Sequence, residues 1–164
     1  MLTTLKQLTI TLAKMRPQVR DASPFDIPAI LDMLRNYRKK TPLPFLAEAD
    51  NADYITTMLN ELMAGRGLVL VAETDKLFGM LIAGISPSLW SPKHLLLTEM
   101  AYWVEPEFRG SSAGYRLLAE YQRRGADLKA QGRVCNFIIS KMVNSPDLQY
   151  DKFGFKKLEE FWVN

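Results

Sequence analysis

The sequence holds one cysteine and one histidine in 164 residues. A lone Cys135 cannot close an intrachain disulfide, which points to a reducing, cytoplasmic setting. Standing in the apolar run "VCNFII", it reads as a small core residue. One cysteine and one histidine are too few soft ligands for a zinc site, so no metal is expected. No apolar run approaches the ~20 residues that span a bilayer, so no membrane partner is expected. A strong excess of either charge is also missing. The 21 Lys and Arg against 18 Asp and Glu leave a net charge of +3. That weakly favours anionic ligands and is far from a nucleic-acid-binding signature. There is no low-complexity tract and no internal repeat.

What is present is ordinary globular material, 48% apolar and 24% charged, long enough for one domain with a real core. Residues 1–15, "MLTTLKQLTITLAKM", read as an N-terminal extension to a domain over 16–164. Leu2, Leu5, Leu8 and Leu12 have helical spacing, whereas Leu8, Ile10 and Leu12 alternate as in a strand. Lys6 and Lys14 interrupt the apolar character, and no small-residue cleavage site follows, so a secretory signal is not expected.

"RPQVRDA" reads as a short strand. Ser23 caps a helix opened by Pro24, with Asp26 in its first turn. It runs to about Tyr37 with Ile27, Ile30, Leu31 and Leu34 on its apolar face, and Pro42 and Pro44 prevent continuation. A second helix starts at Asp50 or Asn51, carries Tyr54, Ile55, Met58, Leu59 and Leu62 as its stripe, and stops at Gly65. "GLVLVAETDKLFGMLIAGIS" is a hairpin turning near Asp75 and Lys76. "SPSLWSPKH" reads as a loop. "LLLTEMAYWV" is a strand apolar on both faces, hence central in a sheet. A helix follows over Ala113–Ala130, ended by Gly132, and then a buried strand, "RVCNFIIS". A short helix runs from Ser145 and Pro146 to Gly154, and "FKKLEEFWV" is a last strand. The order predicts a mixed α/β domain.

Between the central strand and the long helix stands "EFRGSSAGYR". The first N–H groups of a helix lack intrahelical partners and carry the positive end of the dipole. Small residues let an anion reach that backbone, and Arg109 adds a forked cation. The stretch therefore reads either as a phosphate cradle or as a tight turn where helix meets sheet. It lacks the lysine and following Ser or Thr of a nucleotide P-loop, and Gly110 and Gly114 alone do not make a dinucleotide fingerprint.

"VEPEFRGSSAGYRLL" in this context resembles the acetyl-CoA-binding motif Q/R-x-x-G-x-G/A of the GNAT superfamily of N-acetyltransferases. Arg109, Ser112 and Gly114 occupy its three marked positions. Serine stands where glycine is usual, so its side chain must turn away from the phosphate. "QYDKFGF" resembles the family's tyrosine-x-x-x-Gly-Phe segment. "VRDASPFDIPAILDML" and "VAETDKLFGMLIAG" resemble its opening strand and helix and its second and third strands. The resemblance covers about residue 17 to the end.

It implies the acyl-CoA N-acyltransferase fold: a mixed, mostly antiparallel twisted sheet with splayed central strands flanked by helices. It implies acetyl-CoA as co-substrate, with its pantetheine arm along Tyr102, Trp103 and Val104 and its pyrophosphate on Arg109, Gly110, Ser111, Ser112, Ala113, Gly114 and Tyr115. Asn144 resembles a CoA-contacting asparagine, six residues before Tyr150 where seven is usual. Tyr150 matches the general-acid tyrosine. An acceptor amine titrates near ~10.4 and must lose a proton to a base or a water relay. Glu99 is the candidate base. It lies five residues before Val104, whereas the family's glutamate lies six before, at Thr98 here. A regular strand turns Glu99 to the other face, and a bulge restores it.

The acceptor is expected near "RKKTPLPFLAEAD" and "SPSLWSPKH", where Lys39, Lys40 and Lys93 could attract acidic groups and Phe45 and Trp90 could form a wall. His94 reads as a loop residue. The expected activity is acetyl transfer to a primary amine of a small molecule or protein. The alternatives are a catalytically silent CoA-binding or protein-interaction module, and a nucleic-acid binder using "YRLLAEYQRRGADLK". The cations of that helix stand among Glu120 and Asp127, as on a solvated face. Edge pairing in this fold makes a homodimer an expectation by analogy.

Overall fold

The runs "GLVLVAE" and "LFGMLIAG" are apolar at successive positions, a pattern suited to strands covered on both faces. They form the centre of the sheet. The computed structural model describes residues 16–163, and the N-terminal extension, residues 1–15, lies outside the described residues. Five strands, β1 Gln18–Asp21, β2 Gly67–Glu73, β3 Leu77–Ser88, β4 Ser91–Val104 and β5 Asn136–Ile138, form one sheet in the order β1-β2-β3-β4-β5. The first four are antiparallel neighbours, and β5 joins β4 in parallel. Three helices cover it: α1 Ile27–Lys40, α2 Ala52–Glu61 and α3 Ala113–Ala130.

Alternate residues of β2 divide the core in two. Leu68, Leu70 and Ala72 face α3 and pack with Leu117, Tyr121 and Leu128. Val69 and Val71 face the other way, onto Ile30 and Met33 of α1 and Leu59 of α2. The sequence signals for α1 hold, with the helix running on to Lys40 and entered by a 3-10 turn over Pro24–Asp26. Asp26 accepts the Ser23 N–H at 2.7 Å and pairs with Arg20 at 2.8 Å. Arg20 also grips Glu73 at 2.8 Å, tying β1, β2 and the start of α1 together. The Arg20 guanidinium, the Ser23 bonds assisting, holds the Asp26 carboxyl down at about 2. Asn51, rather than Asp50, caps α2, accepting the Tyr54 N–H at 3.0 Å. A wider turn over Leu62–Arg66 follows, where Gly65, at φ 109°, lets the chain reverse into β2.

Five expectations need correction. Tyr54 is exposed, not part of the α2 stripe. Residues 86–94 are not a loop: β3 and β4 continue as a hairpin arm whose tip is Leu89 and Trp90. Cys135 is exposed, because β5 is only three residues long and sits at the sheet edge, so burial stops at Val134. No helix starts at Ser145. Asp147 accepts the Gln149 N–H at 2.9 Å in a local turn that competes with helix, leaving only a 3-10 turn over Tyr150–Phe153 closed by Gly154 at φ 82°. The segment 155–163 forms no strand, since β5 offers so short an edge to pair with.

Candidate active site

β4 and β5 pair only at Leu96–Asn136, Leu97–Phe137 and Thr98–Ile138. From Glu99 onward β4 has no partner on that side among the described residues, which is the expected splay. A cavity of about 430 Å³ opens there, within the usual range of ligand pockets. The second half of β4, the start of α3, the end of α1 and the loop 140–150 enclose it.

One extra residue in β4 decides what faces this cavity. Ile82 of β3 stands opposite Ala101, and Ala83 opposite Glu99, so Met100 is bulged out of the ladder. Side chains alternate along a strand, so one inserted residue exchanges its two faces. Leu97 therefore shares the α3 side with Tyr102 and Val104, while Ala101 and Trp103 pack towards α1. Glu99, two residues from Leu97, falls in step with Tyr102 and lines the cavity.

Glu99 is 7% exposed and is the one buried charged residue among those described. No cation pairs with it among the described residues. Ser140, just beyond β5, donates both its N–H (3.2 Å) and its hydroxyl (2.5 Å) to Oε2. Burial pushes the Glu99 carboxyl above its ordinary range, and the Ser140 bonds only partly oppose this. A raised carboxylate is a better proton acceptor near neutral pH. Of the four tyrosines that line the cavity, Tyr115 is exposed and three are half-buried. Tyr150 and Tyr37 are each pushed up to about 12, by burial first and the Glu99 charge second. Tyr102 is pushed up by burial, with Tyr150 and Glu99 adding to it, and its hydroxyl donates to the Gly114 carbonyl at 2.5 Å.

At the start of α3, Ser111 Oγ accepts the Ala113 N–H at 3.2 Å. The Gly114 and Tyr115 N–H groups have no acceptor among the described residues. Ser112 turns its hydroxyl to Arg116, accepting from Nε at 3.0 Å, in the sense expected of a serine at that motif position. The Arg109 guanidinium lies 4.5 Å from the Trp103 ring, and its Nε donates to the Val104 carbonyl at 3.0 Å. It faces no carboxylate among the described residues, so its charge is available to an anion. The Trp103 indole N–H is buried without an acceptor among the described residues.

Gly114 tests whether this end suits a large anion. Its φ is not positive, and an added Cβ would meet Tyr102 Oη at 3.4 Å, an ordinary contact. The fold alone therefore does not require glycine there. A group entering the cavity would favour it, because Gly114 lines that cavity and an added Cβ would take up room there. Glycine, two free donors and an unpaired arginine fit a pyrophosphate.

Of the sequence candidates, Glu99, Tyr102, Trp103, Val104, Arg109, Ser111, Gly114, Tyr115, Asn144 and Tyr150 line one cavity. Gly110, Ser112 and Ala113 do not. Gly110 and Ser112 are exposed at the turn, and Ala113 is buried under it. Asn144 Nδ2 donates to the Lys40 carbonyl at 2.8 Å, tying the loop to the end of α1. On the acceptor side only Lys40 and Thr41 reach the cavity. Lys39, Phe45, Trp90, Lys93 and His94 stay outside it. Tyr37, Ser140 and Met142 line the cavity without having been marked by the sequence. Tyr37 reads only as a helix end, and Ser140 as the end of a strand.

No family model and no curated protein matches the sequence. Solved structures match in three dimensions. A Trypanosoma brucei acetyltransferase superposes with a TM-score of 0.64 at 15% identity, over 90% of this chain and 98% of that one. A predicted acetyltransferase with acetyl-CoA from Clostridium acetobutylicum gives 0.65 at 15% identity, over 90% and 95%. A transcriptional regulator from Bacillus halodurans C-125 gives 0.65 at 19% identity, over 91% and 99%. The chain thus has the acyl-CoA N-acyltransferase fold, the fold that "VEPEFRGSSAGYRLL" implied. Among the described residues no helix is long and apolar enough to cross a membrane.

Proposed function

We propose that this protein is an acetyl-CoA-dependent N-acetyltransferase that moves an acetyl group directly to a primary amine. The observation that carries this reading is a buried, cation-free Glu99 in one cavity with Tyr150 and the open N-terminus of α3. A catalytically silent module would have no use for so costly a carboxylate.

Acetyl-CoA would supply an acetyl group activated as a thioester. The Gly114 and Tyr115 N–H groups and Arg109 would hold the pyrophosphate, and the edge of β4 from Tyr102 to Val104 that faces away from β3 would hold the pantetheine arm. Glu99 takes a proton from the acceptor ammonium, freeing its lone pair, and Ser140 keeps Oε2 in place meanwhile. Tyr150, held near 12, stays protonated and can donate to the departing sulfur. Against a thiol reference of ~8.5, it acts first as a hydrogen-bond donor. Lys40 at the rim favours an acceptor carrying an acidic group.

Calorimetry and an amine panel test this. Wild type should bind acetyl-CoA with micromolar affinity. Gly114→Glu should abolish binding, and Gly114→Ala should weaken it without lowering the melting temperature. Tyr150→Phe should bind normally and lose ~10²- to 10⁴-fold in turnover. A wild-type protein that ignores acetyl-CoA would sink the proposal.

A further inference from the structure

Residues 155–163 read Phe-Lys-Lys-Leu-Glu-Glu-Phe-Trp-Val and adopt no secondary structure. Leu158, Phe161, Trp162 and Val163 are 87, 85, 90 and 70% exposed. So many large apolar side chains in one short stretch mark an interaction surface. The segment has one fixed end. Phe155 is half-buried, and its ring packs 6.5 Å from that of Tyr121 and 5.6 Å from that of Phe137. From there the chain leaves the core beside β5, whose outer edge pairs with no strand among the described residues.

The residue order identifies what covers it. From 155 to 161 it runs apolar, positive, positive, apolar, negative, negative, apolar. Laid antiparallel on a second copy about a two-fold axis at Leu158, Lys156 faces Glu160, Lys157 faces Glu159, Leu158 faces itself and Phe155 faces Phe161. Every pair is matched, and directly opposed pairs are what stabilise a ladder. A slip of one residue either way sets Leu158 and a phenylalanine against charges. A parallel, in-register stack sets Lys on Lys and Glu on Glu. Only the centred antiparallel register fits, and it is isologous, as a two-fold dimer requires.

We infer that two copies of this chain associate through an antiparallel ladder of residues 155–161. The partner's Phe161 then lies beside Phe155 and extends the Tyr121–Phe137–Phe155 cluster. Lys157, which pairs with Glu160 of its own chain in the single copy, exchanges it for the partner's Glu159. The inference does not depend on the catalytic reading, since none of these residues lines the cavity.

Light scattering after gel filtration tests it with two double variants, Lys156→Glu with Lys157→Glu, and Glu159→Lys with Glu160→Lys. All four positions are exposed, so each variant should still fold, with a melting temperature that does not depend on concentration, whereas that of the wild type rises with it. Wild type should have the mass of a dimer. Each variant alone turns four matched pairs into like-charge pairs, raising the dissociation constant ~100-fold or more and giving a monomer. Mixed in equal amounts, the two should form a heterodimer. A monomeric wild type, variants that still dimerise, or a mixture that stays monomeric would each overturn the inference.

Discussion

Glu99 lowers the stability of the fold that holds it. Its carboxyl is pushed upward by burial, so the native protein keeps the proton over a pH range in which the unfolded chain has released it. Stability then falls as pH rises from the ordinary carboxylate value through the raised one. Glu99→Gln removes this penalty and keeps an oxygen to accept from Ser140. Thermal melts should show the glutamine variant more stable at neutral pH by on the order of 1 kcal/mol, with no gain near pH 4. Its turnover should drop by ~10²-fold or more. Wild-type turnover should rise with pH through the raised Glu99 value, and Tyr150, near 12, sets no limit below that. An unchanged neutral-pH melt would mean that the carboxylate has a compensating partner. Spacing pointed to Tyr150, because motif distances are local, but to Thr98 in place of Glu99, which faces the cavity only through the bulge at Met100. Ser140 escaped, since its tie to Glu99 spans 41 positions and no local pattern encodes it.

Helix α3 was legible at both ends, Ala113 and Ala130, because small residues and Gly132 are local signals. Its fit to the sheet was not. Gly125 lies against β5, and an added Cβ would fall 2.5 Å from Cγ of Phe137. That is the base of the ring, which cannot swing aside cheaply. Gly125→Ala should therefore destabilise by about 1–3 kcal/mol through overpacking, read by denaturant unfolding. It should also loosen β5, where Phe137 is the one residue that is not exposed. Full stability in Gly125→Ala would show that helix and strand can part at no cost. The last strand was misread for a related reason. "FKKLEEFWV" has strand-like composition, but a strand needs an edge to pair with, and β5 within the same chain offers three residues.

Order is uneven across the whole molecule. β2 and β3 are covered on both faces, whereas β5, the loop 140–150 and the segment beyond it are mostly exposed. Hydrogen exchange should find β2 and β3 amides the slowest and those of 136–155 among the fastest. Acetyl-CoA at about 100 times its dissociation constant should add ~2.7 kcal/mol of global stability and slow exchange most around 140–150. Uniform slowing would argue against a site in the splay. The gathering of phenols around Glu99 has a further use. Of six tyrosines, Tyr37, Tyr102, Tyr121 and Tyr150 are buried enough to have their ionisation suppressed, and all four feel the Glu99 charge. Tyr54 and Tyr115 stand exposed. Beneath the stronger bands of three tryptophans, the tyrosine part of the near-ultraviolet spectrum thus carries the phenols of the cavity, Tyr37, Tyr102 and Tyr150. A proton or ligand arriving at Glu99 should register there as a spectral shift, an optical gauge that needs no dye.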